Sequence, residues 1–317
     1  MDSFRGFFRK HHIIGSVIVS VLFWLVMISF TAAAVMLFPD LIYAGDYTLQ
    51  AIAELFTGAA GVGLAALLGY NRIWRARGAG FARGLLAGGY FIFISLYSMM
   101  LYLWQLIIDG SAVSLAPFWE ILIFTVAVCL IGFTEEVFFR GIVANLFLDK
   151  LPRNKYGVWC AVIGSGLVFG LMHLGNIASV GYMDSVLVQV FVTSGMGMAL
   201  SAVYYRTRNI WSVIFLHAFI DFCALIVPTM FSMGDLTDTL GSYSAVQFIG
   251  IVPYLLVCFV LLRENKMNGI CPFPTPEARA LSEEQSRGLL RKYVITAVVI
   301  GAAIIVLYFP ATLLTPW

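Results

Sequence analysis

Charge is what this chain has least of. Lysine, arginine, aspartate and glutamate make up 11% of its 317 residues and 61% are hydrophobic, whereas soluble globular proteins carry about 25% charged residues. That scarcity excludes a soluble globular class, and a net charge of +2 gives no electrostatic footprint for nucleic acid. Cysteine is sparse too. Cys129, Cys160, Cys223 and Cys258 fall in apolar stretches and Cys271 in a polar loop, with no C-x-x-C spacing, so neither a disulfide framework nor a metal knuckle is expected. Also missing are a C-a-a-X ending, a myristoylation pattern, an internal repeat and a re-entrant pore signature.

Long apolar runs are what the chain has instead. They recur at 13–38, 49–70, 84–108, 117–148, 157–174, 186–205, 210–230, 246–262 and 293–314. Crossing 30 Å of hydrocarbon takes roughly 20 residues, so the pattern predicts an all-α, polytopic transmembrane helix bundle of about 8–9 spans. Arg5, Arg9 and Lys10 before the first run give it the look of an uncleaved signal anchor. Basic residues then alternate with acidic ones from loop to loop. Arg72, Arg75, Arg77 and Arg83 follow the second run, Lys150, Arg153 and Lys155 the fourth, Arg206 and Arg208 the sixth, and Arg263 and Lys266 the eighth. The intervening loops carry Asp40, Asp46, Asp109, Asp184, Asp235 and Asp238. Because Lys and Arg concentrate on the cytoplasmic side, the expected topology has the N-terminus inside. The chain divides into spans one to three (1–116), a core of spans four to seven (117–230) and two last spans (231–317). The final part contains a polar cytoplasmic loop, 263–292. Pro272, Pro274 and Pro276 are expected to keep the first part of that loop extended. Ser282-Glu283-Glu284-Gln285 then reads as a capping box opening a helix into the last span.

Within this apolar background a few ionisable groups sit where hydrocarbon penalises them, by roughly 2.5 to 17 kcal/mol each. Glu135, Glu136 and Arg140 lie in the fourth run. Glu136 and Arg140 are one turn apart and are expected to pair as scaffold. Glu135 points about 100° away and is left as a desolvated carboxylate, the condition wanted in a general base. The other reading is that both acids share Arg140 and lock the bundle. Phe169 and His173 share a face of the fifth run, where Gly164, Gly166 and Gly170 allow a neighbouring helix to come close. His217 and Asp221 share a face of the seventh. Asn176 reads as a helix-end residue. His173 lies about 10 Å off the middle of its run at 1.5 Å per residue. A tilt, or a bend at Gly132 or Gly170, is needed for it to meet Glu135.

Together, Glu135-Glu136-x-x-x-Arg140, Phe169-x-x-x-His173 and His217-x-x-x-Asp221 resemble the motifs of the CAAX-protease and bacteriocin-processing (CPBP, or Abi) intramembrane proteases. The resemblance covers about residues 132–222. It implies an intramembrane endopeptidase acting on membrane-associated or lipid-proximal peptides in a multi-pass protein of a bacterial cell membrane. Glu135 and His173 would activate water, while His217 and Asp221 would stabilise the oxyanion; Glu136, Arg140 and Phe169 would support them. The prenyl-protein-processing branch carries asparagine where this chain has Asp221, which weakens the inference of a prenylated substrate.

No cofactor is implied, although Glu135, His173 and His217 could supply an open zinc site. Against zinc, no H-E-x-x-H helix places two histidines one turn apart. The expected partners are a peptide or protein substrate at the membrane and the bilayer itself, without nucleic acid. Two other functions stay open: a catalytically idle binding protein such as a bacteriocin-immunity factor or scaffold, and a transporter using the acids as proton relays. The latter lacks paired discontinuous helices in two halves.

Overall fold

A chain this apolar can satisfy its backbone in lipid only by helices that close their own hydrogen bonds, and that is the architecture of the computed structural model. It describes residues 2–43, 45–75, 78–109, 114–152, 154–234, 236–264 and 281–313, with no strand among them. The helices are α1 (Asp2–Lys10), α2 (His12–Leu37), α3 (Asp46–Leu68), α4 (Gly78–Ala87), α5 (Gly89–Asp109), α6 (Phe118–Glu136) and α7 (Ala144–Lys150). They continue with α8 (Lys155–Met172), α9 (Ile177–Val180), α10 (Met183–Thr207), α11 (Ile210–Met230), α12 (Leu236–Gly241), α13 (Ile251–Leu261) and α14 (Glu283–Thr312).

Among the described residues, eight helices are long and apolar enough to cross a membrane: Phe118–Lys150 counts as one, and the stretch Ala245–Leu261 is shorter. That stretch opens as a 3₁₀ turn, Ala245–Gly250, before α13. The steeper rise of a 3₁₀ helix brings its length to about 28 Å, close to a full crossing. Contacts at its two ends bear this out. At one end Lys155 reaches Glu264 at 2.6 Å, Tyr156 donates to Glu283 at 3.0 Å and Asn154 to Ser286 at 2.9 Å. At the other, the Ala245 amide donates to the Tyr308 hydroxyl at 3.1 Å, and Ser185 donates to the carbonyls of Gly241 and Tyr243. The Lys155 ammonium holds the exposed Glu264 carboxyl below its usual range.

Capping residues start several of these helices by accepting from amides the first turn leaves free. Asn154 accepts from Gly157 N at 3.0 Å and Asn209 from Ser212 N at 3.1 Å. At the head of α14, Ser282 and Gln285 form the capping box, and the helix runs without a break into the last span. The proline segment 272–276 and Cys271 lie outside the described residues.

Helices α8 and α10 are the innermost. At Gly170 an added Cβ would collide with Ser194 and would lie 2.6 Å from the Val190 carbonyl, so α10 packs directly on the α8 backbone. At Gly132 it would lie 2.8 Å from the Ala218 amide, so α6 and α11 touch one residue from His217. The first span belongs to the bundle: Phe23 packs edge-on to Phe138 and the Trp24 indole donates to Met172 O at 2.9 Å. The third span begins later than the sequence suggests, because the chain breaks at Gly88 and α4 forms a separate piece.

Candidate active site

The fourth span places the two adjacent acids at a change of helix type. Helix α6 ends at Glu136 and the chain continues as a π-helical segment, Val137–Val143, before α7. A π segment widens the turn and leaves carbonyls short of α-type partners. Here Asn145 supplies donors: its amide nitrogen lies 3.1 Å from Arg140 O, 2.9 Å from Gly141 O and 3.0 Å from the Tyr204 hydroxyl. The register change thus occurs in the π segment. Gly132 and Gly170, the two bend positions considered from the sequence, both lie at close helix contacts.

Glu136 and Arg140 are both fully buried and pair at 2.7 Å between Oε1 and Nη1. The same Oε1 accepts from His217 Nδ1, also at 2.7 Å. One carboxylate oxygen therefore holds a guanidinium from its own helix and an imidazole from α11. Arg140 further donates to Gly197 O at 3.4 Å and lies 4.2 Å above the centre of the Phe169 ring.

With Nδ1 committed to Glu136, Nε2 is the free nitrogen of His217. It faces Asp221 Oδ2 at 3.5 Å and Glu135 Oε2 at 3.7 Å. That Glu135 oxygen is buried and makes no hydrogen bond. The Glu135 and Asp221 side chains keep 13% and 25% of their exposure against 3% for His217, so the acids mark the open side of the cluster.

His173 begins the 3₁₀ turn after α8, His173–Asn176. Its Nδ1 donates to Phe169 O at 2.9 Å, one turn back, which leaves Nε2 as the lone-pair nitrogen. The Phe169 ring is common ground: His173 stands edge-on to it at 5.0 Å and His217 at 5.8 Å. The structure thus brings Glu135, Glu136, Arg140, Phe169, His217 and Asp221 together and sets His173 on the same ring. No hydrogen bond or ion pair joins His173 to Glu135 among the described residues. His173 stands at the C-terminal end of α8. Asn176 is more than a helix end: it donates to Gln189 at 2.8 Å and ties this turn to α10.

The same geometry tests the zinc donor set. Among the described residues no three His, Cys, Asp or Glu side chains converge as metal ligands. Glu135, His173 and His217 are therefore not gathered as a tetrahedral donor set in this arrangement.

Sequence reasoning missed one further acid. Glu54, in α3, is 1% exposed, accepts from Gln50 at 2.8 Å, and has its second oxygen buried without a partner. Thr134, the residue before Glu135, donates to Glu54 O at 3.0 Å. The signal was present as a lone carboxylate inside the second apolar run.

Three motif-bearing spans, in order, around one aromatic ring are what a family comparison can decide on. Residues 117–223 match the Rce1-like family. The matching model is described as type II CAAX prenyl endopeptidase Rce1-like. The Rce1-like segment runs from Pro117, just before α6, to Cys223 in α11, and holds every residue of the cluster except Glu54. The resemblance read from the sequence is thereby borne out over this segment, and the match supports a CAAX-type intramembrane protease. No curated protein and no solved structure matches the chain.

Proposed function

We propose that this protein is an intramembrane endopeptidase that hydrolyses peptide bonds of membrane-associated or lipid-proximal peptides by a glutamate mechanism. The observation that carries the reading is the division of labour between two adjacent acids. Glu136 is tied through one oxygen to both Arg140 and His217, whereas Glu135, the more exposed of the two, has no hydrogen bond to its Oε2.

In this reading Glu135, assisted by His173 Nε2, takes a proton from water as the water oxygen bonds to the scissile carbonyl carbon. The carbonyl π electrons move to oxygen, and His217, donating from Nε2, meets the negative charge. Glu136 accepts from Nδ1 and fixes the ring plane of His217, which in this reading is the imidazolium and donates from both nitrogens. Asp221 borders the same nitrogen and supports its protonated form. Collapse of the tetrahedral intermediate breaks the C–N bond, and the proton held by Glu135 passes to the leaving amine. Phe169 and the surrounding apolar helices exclude bulk water. No step needs a metal. The basic end of the bundle is the cytoplasmic one, with the N-terminus inside.

The test is cleavage of a membrane-peptide library by purified protein in lipid, comparing wild type with Glu135→Ala, Glu136→Ala and a surface control. Loss of cleavage in a folded Glu135→Ala protein supports the assignment. Full activity in that variant rejects it, and absence of cleavage by wild type favours a catalytically idle binding protein.

A further inference from the structure

A cavity of about 850 Å³ lies between α8, α10, α13 and α14, within the size range of ligand pockets, about 300–1,000 Å³. Trp159, Ile163 and Leu167, one turn apart, form its α8 wall. Phe169, the ring that His173 and His217 share, lies two residues beyond Leu167 and about 200° round the helix. The cavity and the candidate active site therefore occupy opposite faces of α8. Along α14 the lining runs from Leu290 to Ile305, a length of about 22 Å out of the roughly 30 Å of hydrocarbon. Phe259 of α13 and Val298 of α14 line it and are exposed, so it opens outward between these two helices.

The chemistry of the lining is one-sided. Ser194, Trp159 and Arg263 are its only side chains with oxygen or nitrogen. Ser194 donates to Val190 O at 2.7 Å, inside its own helix. The other two stand at one end of the cavity. Arg263 follows α13 and precedes Glu264, which Lys155 binds at 2.6 Å, and Trp159 is one turn along α8 from Lys155. Trp159 meets Phe259 there with ring centres 5.1 Å apart. Arg263 Nε donates to Val260 O at 3.1 Å, and among the described residues no acid pairs with the guanidinium. Positive charge is in surplus where α8 and α14 begin and α13 ends. Lys155 pairs with Glu264 and Arg287 with Glu283, which leaves Arg263, Arg291 and Lys292 against Glu284 among the described residues.

We propose that this cavity binds one anionic glycerophospholipid, with an acyl chain lying along α14 and the headgroup phosphate on Arg263. The guanidinium fork matches two phosphate oxygens, and a tryptophan at that level suits the boundary of headgroup and hydrocarbon. A basic pocket between membrane helices is a known form of anionic-lipid site. A polar metabolite would leave its hydrogen-bonding groups unpaired against the apolar walls. The site does not depend on the peptidase reading.

The experiment takes the full chain, purified in detergent and stripped of lipid, and counts lipid adducts by native mass spectrometry as phosphatidylglycerol or phosphatidylcholine is added. Wild type is expected to take up one phosphatidylglycerol saturably, about tenfold more tightly than phosphatidylcholine, with a raised midpoint of thermal unfolding. Arg263→Gln is expected to remove that preference. Ala297→Phe, which puts a ring into the cavity, is expected to remove the saturable adduct with both lipids while the circular dichroism stays that of wild type. Should Ala297→Phe not fold, Leu255→Trp fills the cavity from α13 and carries the same expectation. The proposal is overturned by a wild type without a saturable adduct, by an adduct that survives filling of the cavity, or by a preference that survives Arg263→Gln. A concentration-dependent dimer that Ala297→Phe dissociates also overturns it and assigns the cavity to a second copy of the chain.

Discussion

His217 and Glu136 are joined by a 2.7 Å hydrogen bond from Nδ1 to Oε1, across the interface of α6 and α11. The bond makes Glu136 the hub of the cluster, since the same oxygen holds Arg140. Removing either partner strands a buried charge. Arg140→Met is expected to destabilise the protein by about 3–5 kcal/mol, read as a lower midpoint of thermal unfolding in detergent. Glu136→Gln is expected to lose activity through a misoriented His217 while retaining more stability than Arg140→Met.

The oxyanion donor and the base are expected to separate kinetically. His217→Ala removes an oxyanion donor and should cost on the order of 10²–10³ in kcat. Glu135→Ala removes the base and should cost on the order of 10²–10⁴. Single-turnover cleavage by folded variants measures both, and a His217→Ala enzyme with unchanged kcat would remove the oxyanion role.

Peptide cleavage is expected to persist after exhaustive treatment with a chelator, because no metal-ligating donor set converges among the described residues. Abolition by chelator with rescue by zinc would show that Glu135, His173 and His217 rearrange around a metal.

The π segment has its own test. Asn145 provides donors for two carbonyls that the widened turn exposes. Asn145→Leu is expected to cost about 1–3 kcal/mol through those unsatisfied groups. It should also reduce activity by shifting Glu136 and Arg140. A variant of wild-type stability and rate would show that the segment needs no such support.

Orientation is open to thiol labelling. Ser242→Cys and Glu284→Cys lie at opposite ends of the bundle and are both exposed. An impermeant reagent is expected to label Ser242→Cys in intact cells and Glu284→Cys only after lysis. The reverse result would invert the topology.

The sequence by itself determined the helical membrane class and the motifs, because both rest on local cost. An apolar run of span length has few alternatives to a transmembrane helix, and an acid within one stands out against that background. It also determined the Glu136–Arg140 pair, since residues four apart on a helix share a face. Only the tertiary structure decided which helix each acid meets. Glu136 reaches His217 because Gly132 lets α11 approach, and Glu135 comes to face Nε2 of the same ring at 3.7 Å. Glu54 meets α6 through Thr134, far from it in sequence. Those outcomes depend on interhelical register, fixed by side-chain packing between distant segments and by a π turn with no signature of its own in the chain. That His173 and His217 share the Phe169 ring is likewise a result of packing, because the two histidines lie on helices whose mutual register no local pattern specifies.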